Sequence, residues 1–424
     1  MTIEHATARA EEVARASYGR LLAILAAKDG DIESAEDCLA GAFAQALSTW
    51  PNSGVPDNPE AWILTVARNR RHDVRRSAEQ RLTDPFEDVV HSDVLAIADE
   101  IDPDEIPDRR LALLFVCAHP AVDPAVRTPL MLQTVLGFDA DDIGRAFLVP
   151  AATMAQRLVR AKRRIRDARI PFAIPDRAQM PDRLSPVLEA IYGAYAIDFS
   201  LVAGTSERDS LSAEAHFLAT TLAELLPGEP EALGLAALIS LSLARRDARG
   251  SHDGFIPLDE QDPSRWDADL ITLGERYLQR ASTHRSIGRF QLEAAIQSVH
   301  CARTTSGVVD ANALLELHTA LVALAPTLGA RVAHAAAHGR ATGPLAGLAA
   351  LDAIDDEAIQ RFQPAWATRA HLLAEAGRND EAALAYDRAI SLTADAGPRR
   401  YLEQRRGLLR TPQLADAGAE SPTQ

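Results

Sequence analysis

The sequence has few cysteines, few aromatic residues and no long hydrophobic run, and these shortages exclude several classes of protein. Its three cysteines, Cys38, Cys117 and Cys301, are too widely scattered for a disulfide framework or for metal-ligand spacing. No segment approaches about 20 uninterrupted apolar residues, so we expect no transmembrane helix. The N-terminal segment is polar and lacks the basic start and apolar core of a signal peptide. These absences predict a cytoplasmic protein with no membrane partner.

Motifs of enzymatic chemistry are also missing. The sequence contains no phosphate-binding glycine-rich loop, no dinucleotide fingerprint and no nucleophile elbow. Cys117 and His119 lie close together in an apolar run, but no further ligand cluster lies near them, which favours core packing over a metal site. The carboxylates between Asp253 and Trp266 suit either acid–base chemistry or a structural loop, and we favour the loop. We therefore expect no enzyme, catalytic residue, cofactor or metal.

The net charge of −16 conceals an uneven distribution of basic residues. An acidic stretch, TDPFEDVVHSDVLAIADEIDPDE, separates two basic clusters. Local fields govern the binding of a polyanion, so the clusters are compatible with DNA contact, although solvated helix faces are the alternative. The clusters are Arg68, Arg70, Arg71, Arg75, Arg76 and Arg81, and then Arg157, Arg160, Lys162, Arg163, Arg164, Arg166 and Arg169.

The predicted fold class is all-α, because Ala, Leu, Arg and Glu dominate the sequence and long β-branched alternations are absent. In the first unit we expect helices at about 8–28, 31–49 and 59–79, with prolines breaking the second helix from the third. The predicted organisation is a first unit at 1–81, an acidic linker at 82–105, a second unit at 106–172, a helical domain at 182–411 and a disordered tail at 412–424.

A repeat-like pattern is clearest at residues 366–389. One helix is expected to end at Gly377 and the next to start at Asp380, and the small residues Ala370 and Ala382 allow the two helices to approach closely. With its aromatic start and Tyr-x-x-Ala ending, the segment resembles a tetratricopeptide repeat. The preceding helical pairs are more degenerate, so we expect a repeat-like solenoid rather than a counted array.

The segment FDADDIGRAFLVPAATMAQRLVRAKRRIRDARI predicts a helix-turn-helix. Asp139 is placed to cap a short helix with apolar positions at Ile143, Ala146 and Phe147, and Pro150 precedes the next helix. In this motif the second helix enters the major groove, with early residues at base edges and later arginines at phosphates. An ordinary helical hairpin is the alternative. The expected DNA-contact residues are Thr153, Gln156, Arg157, Arg160, Arg163 and Arg164.

A second candidate nucleic-acid surface surrounds the proline-rich loop between Pro51 and Pro59. Unstacked bases need pockets, stacking surfaces and backbone cations. The constrained loop is suited to capture a base by hydrogen bonds, and Trp62 is suited to stack, although a tryptophan at a helix start also fits a core. The candidate residues are Asn52, Asp57, Asn58, Trp62, Arg68, Asn69, Arg71 and Arg75.

These motifs resemble those of RNA polymerase sigma factors of the extracytoplasmic-function type. The helix-turn-helix is similar to their region 4, which contacts the −35 promoter element. The helix at 62–73 resembles the part of region 2 that grips the melted −10 element. The segment at 31–43 resembles the region 2 helix that docks on the polymerase clamp, which implies docking by Asp31, Glu36, Asp37 and Phe43. The implied partners are promoter DNA and the RNA polymerase core, through its beta-prime clamp and beta flap.

The segments IPDRRLALLFVCAHPA and DGFIPLDEQDPSRWD extend the resemblance to the sigma subgroup with a fused tetratricopeptide-like C-terminal domain. The resemblance implies that residues from about 182 onward pack on the sigma core and regulate it in cis. It also implies that the acidic linker threads through the polymerase, although a soluble spacer is the alternative. For the whole chain, the alternative is a helical repeat scaffold that uses its basic helices for another acidic partner.

Overall fold

The computed structural model is almost entirely α-helical over the residues it describes. These residues are 3–26, 31–80, 109–147, 149–167, 175, 179–200, 208–251 and 254–409. The predicted linker and the predicted tail lie outside them. The predicted all-α class is confirmed. Within the described residues, β-structure is limited to a ladder of two-residue strands, β1 (Gly250–Ser251) and β2 (Gly254–Phe255). None of the described helices is long and apolar enough to cross a membrane.

The chain divides into two compact units. The first unit comprises residues 1–198 and 206–226, and the second comprises 199–205 and 227–424. The predicted domain boundaries stay predictions. The division nevertheless assigns the first two helices of the predicted domain at 182–411 to the first unit.

The first unit begins with three helices that pack on one another: α1 (Ile3–Ala26), α2 (Ile32–Ser53) and α3 (Pro59–Gln80). The second helix runs past its predicted end and includes Pro51. A proline in the last turn is tolerated because its fixed φ is helical and it removes only one hydrogen bond. The helix stops at Gly54, whose φ of 88° lies in the region that favours glycine.

The predicted helix-turn-helix is formed by the last two of four further helices: α4 (Arg109–Cys117), α5 (Pro124–Thr134), α6 (Ala140–Ala146) and α7 (Ala151–Asp167). The side chain of Asp139 accepts hydrogen bonds from the backbone nitrogens of Asp141 at 2.9 Å and Asp142 at 2.8 Å, which confirms the predicted cap. Of the apolar positions of α6, Ile143 is buried, whereas Ala146 and Phe147 are exposed, because the helix ends there and the chain turns.

Helices α8 (Pro181–Ser200) and α9 (Arg208–Leu225) complete the first unit. Nη1 of Arg110, on α4, lies 2.6 Å from Oε1 of Glu214, on α9. On α8, Arg183 donates a hydrogen bond to the carbonyl oxygen of Phe115 at 3.4 Å. These contacts fasten both helices to the buried helix α4.

The second unit starts with an apolar helix, α10 (Pro230–Leu243), which is buried along nearly its whole length. It lies between α11 (Ala268–Ser282) and α12 (Arg289–Cys301). Such a helix, hydrophobic all round, forms the core of its unit. The helices of this unit are α10 (Pro230–Leu243), α11 (Ala268–Ser282), α12 (Arg289–Cys301), α13 (Arg303–Ser306), α14 (Ala311–Leu324), α15 (Leu328–Thr342), α16 (Pro344–Asp352), α17 (Gln363–Glu375), α18 (Asn379–Ser391) and α19 (Ala396–Leu408).

The pair α17 and α18 has the predicted repeat geometry. The turn between them is made at Gly377, whose φ is 73°. Ala370 and Ala382 are fully buried, and Tyr386 and Ala389 continue the same buried cluster. The predicted close approach of these two helices through small residues is therefore confirmed.

Candidate nucleic-acid interface

The six candidate DNA-contact residues of α7 are all exposed. The helix is amphipathic, with a buried stripe formed by Met154, Leu158, Ala161 and Ile165 at helical spacing. That stripe packs toward α5 and α6, and on the polar side Lys162 and Arg166 contact α2. The geometry therefore presents Thr153, Gln156, Arg157, Arg160, Arg163 and Arg164 to solvent, as a recognition helix requires, while their roles stay predictions.

A cavity of about 260 Å³ opens beside the proline-rich loop. Asp57 and Asn58 line it, as the sequence predicts for a base-binding loop. The other lining residues are Pro59 and Glu60 at the start of α3 and Arg9, Glu12 and Val13 of α1. Oδ1 of Asn58 accepts a hydrogen bond from the backbone nitrogen of Ala61 at 3.0 Å, which caps α3 and orients the amide nitrogen. The polar lining offers both donors and acceptors to a ligand.

Sequence reasoning missed the contribution of α1 to this cavity. Arg9 and Glu12 form an ion pair at 2.6 Å, three residues apart along the helix. On the sequence alone, an acidic and a basic residue at this spacing indicate only an ordinary solvated helix face. No local signal could have placed it beside Asp57, because α1 and the loop meet only in the tertiary structure. Asn52, also a candidate, is exposed but does not line the cavity.

The candidates on α3 have different surroundings. Arg68 and Asn69 are exposed, and the half-buried Trp62 packs edge-on against buried Trp50, with ring centroids 5.5 Å apart. Arg71 corrects the sequence analysis: it is 7% exposed and donates a hydrogen bond to the carbonyl oxygen of Leu25. A buried arginine needs such a partner, so its guanidinium serves the packing of α3 on α1 and does not face a strand. The side chain of Arg75 lies outside the described residues.

The candidate polymerase-docking residues lie on α2 or at its start. Asp31 caps the helix by accepting from the backbone nitrogen of Ser34 at 3.0 Å, so its carboxylate has a structural role. Asp37 is exposed, and Phe43 stacks on Tyr18 with ring centroids 6.4 Å apart. Burial, together with Glu36 and Asp37, raises the pKa of Tyr18, so the phenol stays neutral beside the acidic face of α2.

Glu36 lies in an ion pair that the sequence did not predict. Nζ of Lys162, on α7, lies 2.6 Å from its carboxylate, and the two side chains are 9% and 19% exposed. Burial raises the pKa of Glu36, and the nearby Lys162 only partly opposes that rise. On the same face, Arg166 lies 2.8 Å from Glu33. The candidate recognition helix is thus joined to the candidate docking helix.

The residues considered for a metal site have core or backbone contacts. The thiol of Cys117 is buried 3.7 Å from the Thr134 hydroxyl, and burial raises its pKa to about 12. Nδ1 of His119 accepts a hydrogen bond from the backbone nitrogen of Ala121 at 3.1 Å. Among the described residues, no group of three or more His, Cys, Asp or Glu side chains is arranged to hold a metal ion.

The carboxylate-rich segment of the second unit is built as a structural loop. Arg303 donates hydrogen bonds to the carbonyl oxygens of Leu258 at 3.0 Å and Asp259 at 3.2 Å. The hydroxyl of Tyr401, on α19, lies 3.2 Å from the carboxylate of Glu260, and the Asp259 carboxylate pairs with Arg340 on α15. The loop therefore ties early and late helices of this unit together.

The fold and these surfaces define an all-α protein whose first unit contains a short capped helix, a tight turn and an amphipathic basic helix, and whose second unit contains repeat-like helix pairs. The chain belongs to the same family as the uncharacterized protein R00370 of Rhizobium meliloti (strain 1021), with 34% identity over 377 residues, covering 88% of this chain and 89% of that protein. It is also similar to the probable ECF RNA polymerase sigma factor SigI of Mycobacterium tuberculosis, with 29% identity over 152 residues, or 34% of this chain and 50% of SigI. No solved structure matches the chain.

Residues 183–282 match a family of unknown function, DUF6596. The matched segment extends from α8 to the end of α11 and therefore includes helices of both compact units. Part of the chain is thus similar to a sigma factor, which supports the predicted resemblance at that coarse level.

Proposed function

We propose that this chain is a sigma factor that directs the RNA polymerase core to promoters in the cytoplasm, acting by binding and not as an enzyme. One observation supports this most strongly. Helix α7 follows a short capped helix and a tight turn, buries one apolar stripe and exposes a polar and basic side. The partial similarity to a probable sigma factor supports the same function.

In this proposal α7 recognises the −35 element. Thr153, Gln156 and Arg157 lie in the first half of the helix, where a recognition helix meets base edges. Arg160, Arg163 and Arg164 follow and suit phosphate contacts. All six side chains are exposed and therefore accessible to DNA, and their order along the helix determines this division of roles.

The loop between Pro51 and Pro59 takes an unstacked base of the −10 element. The adjoining cavity, lined by Asp57 and Asn58, supports this role because a base outside the duplex needs a pocket with polar groups for its edge. Arg68 and Asn69 of α3 are exposed and suit the strand backbone, and Trp62 offers only the part of its ring that Trp50 leaves uncovered.

Docking on the polymerase clamp is assigned to α2, with exposed Asp37 and the carboxylate of Glu36 as its charged residues. The beta flap is the proposed partner of the α4–α7 half of the unit. The extension regulates the sigma core in cis, and the contacts of α8 and α9 with α4 support a direct mechanical connection.

The deciding experiment is co-purification of the full chain with core polymerase, followed by transcription from a randomised promoter library. A sigma factor binds the core and yields specific transcripts. Arg160→Ala should reduce transcription, whereas Arg400→Ala, which removes an exposed arginine from α19, is the matched control and should not. A chain that neither binds the core nor supports transcription is instead the helical scaffold.

A further inference from the structure

Two histidines of the second unit, His334 and His338, lie one helical turn apart on the same face of α15. Both side chains are half-buried, and their ring centroids are 6.0 Å apart with an angle of 75° between the ring planes. An imidazole nitrogen binds a zinc ion at about 2.0–2.1 Å, so two rings on one ion have centroids about 5–6 Å apart. The spacing of this pair therefore fits coordination of a shared metal ion.

A threonine of the neighbouring helix determines which ring nitrogen of His334 carries the proton. Nε2 of His334 lies 3.1 Å from the hydroxyl of Thr319, on α14. That hydroxyl donates its hydrogen to the carbonyl oxygen of Leu315 at 2.7 Å, so it accepts from the ring. Nε2 of His334 is therefore protonated, and the lone pair is on Nδ1.

His338 is held in the opposite tautomer by a threonine of its own helix. The hydroxyl of Thr342 donates to the carbonyl oxygen of His338 at 2.8 Å and lies 2.9 Å from its Nδ1. Since this hydrogen is also committed to a carbonyl, Nδ1 of His338 is the donor and the lone pair is on Nε2. Hydrogen bonds of this kind fix the tautomer and the ring orientation of histidines that bind metal ions.

The charges around the pair are compatible with a bound cation. Burial and the neighbouring His338 lower the pKa of His334, so its imidazole is neutral at neutral pH, which is the form that binds a metal ion. The two arginines of α15, Arg331 and Arg340, each pair with a carboxylate of another segment. Their positive charges are thus compensated, which limits their repulsion of a cation.

We propose that His334 and His338 form a binding site for a divalent transition-metal ion on α15. Two protein ligands leave the other coordination positions to water or to a group from a binding partner. The site thus differs from the clusters of three or more ligands that are absent among the described residues. Imidazole ligands favour Cu²⁺ over Ni²⁺ and Zn²⁺, whereas Mg²⁺ prefers oxygen ligands and should not bind. The inference does not depend on the proposed function.

Titration calorimetry of the metal-free full chain with Cu²⁺, Zn²⁺ or Mg²⁺ tests the site. Wild type should bind Cu²⁺ and, more weakly, Zn²⁺, and either His334→Ala or His338→Ala should abolish this binding. His284→Ala is the matched control, because it removes an exposed histidine from the segment between α11 and α12 and should keep the wild-type affinity. Electron paramagnetic resonance of the Cu²⁺ form should show two coordinated imidazole nitrogens in wild type.

The threonines supply a second test that leaves both histidines in place. Thr319→Val together with Thr342→Val preserves side-chain shape but removes the hydroxyls that fix the tautomers, and should lower the metal affinity by about 10–100-fold. Circular dichroism without metal checks that each variant is folded, and if one histidine variant does not fold, the other decides.

Three results would overturn the inference. They are no binding of Cu²⁺ or Zn²⁺ by wild type, an adventitious ion only, seen as equal loss in His284→Ala and His338→Ala, and an unchanged affinity in the threonine double variant.

Discussion

Arg110 and Glu214 are 104 residues apart in the sequence, yet their side chains form an ion pair of 2.6 Å that is largely buried. The Arg110 guanidinium also lies over the ring of Phe217, 5.5 Å from its centroid. Both partners of Arg110 are on α9, in the segment that follows the helix-turn-helix. The start of the predicted extension is therefore part of the first compact unit and contributes to its stability.

Removal of the charge on Glu214 should destabilise the first unit. Glu214→Gln removes the negative charge that lies 2.6 Å from the Arg110 guanidinium, and removing one charge from a largely buried pair costs about 3 kcal/mol. Thermal unfolding of the full chain measures the effect as a lower midpoint of the first-unit transition. Glu381→Gln, which removes an exposed ion pair on α18, is the control and should leave the unfolding curve unchanged. An unchanged midpoint in Glu214→Gln would show that α9 does not stabilise the unit.

Truncation after residue 226 should preserve the first unit better than truncation after residue 180. The shorter chain loses α8 and α9. Their loss exposes the side of α4 that Arg183 and Glu214 cover in the full chain. We expect the chain 1–226 to unfold cooperatively and the chain 1–180 to bind a hydrophobic dye and unfold at a lower temperature. Circular dichroism measures the unfolding of each chain, and dye fluorescence measures its exposed hydrophobic surface. Equal stability of the two chains would contradict the role given to α8 and α9.

Base and phosphate contacts on α7 should be distinguishable by salt. Gln156→Ala should cost about 1–3 kcal/mol and relax preference at one promoter position. Arg163→Ala should weaken all sequences alike and lower the salt slope by about one. Promoter binding of each variant, titrated against salt with core polymerase present, gives both quantities. Sequence-selective loss from Arg163→Ala, with none from Gln156→Ala, would reverse the assignment.

The cavity beside the proline-rich loop should determine −10 preference. Asp57→Asn replaces a pure acceptor by a mixed donor and acceptor, so it should change the base favoured at one position by about 1–3 kcal/mol. Asn58→Asp retains the cap on α3 and tests the amide nitrogen separately. Transcription from a promoter library randomised at the −10 and −35 elements is the measurement, with the −35 preference as the internal control. If the base preference of both variants equals that of wild type at every −10 position, the cavity does not determine −10 preference.

Acid should destabilise the second unit. Burial lowers the pKa of His300 and His318 to about 4, compared with about 6.5 in an unfolded chain. Between these values the unfolded state binds more protons, so stability falls as the pH drops from about 6.5 towards 4. The expected slope is on the order of 1 kcal/mol per pH unit after allowance for solvent screening. Denaturant unfolding of wild type and of His300→Gln with His318→Gln measures it. The slope should be shallower in the double variant.

Several local elements could be predicted from the sequence because neighbouring residues determine them. Asp139 precedes a short helix and caps it, and Pro150 precedes α7, as their chemistry requires. Gly377 separates two helices whose alanines meet, because the necessary small residues lie within one short segment. The amphipathic stripe of α7 likewise follows from its own periodicity, which fixes which of its side chains are exposed.

Tertiary structure decided how distant segments meet. The helical spacing that suggested Arg71 as a strand contact could not reveal that α1 would place the carbonyl of Leu25 beside its guanidinium. The position of Glu12 in the sequence likewise could not reveal that its side chain would line the cavity beside the proline-rich loop. Lys162 stood among seven basic residues in one cluster, and nothing local distinguished it from the others. Its partner Glu36 lies 126 residues away, and only the packing of α7 on α2 brings the two charges together. Sequence periodicity thus determined the helices and their faces, while burial and long-range charge pairing decided which polar residues remain free to bind.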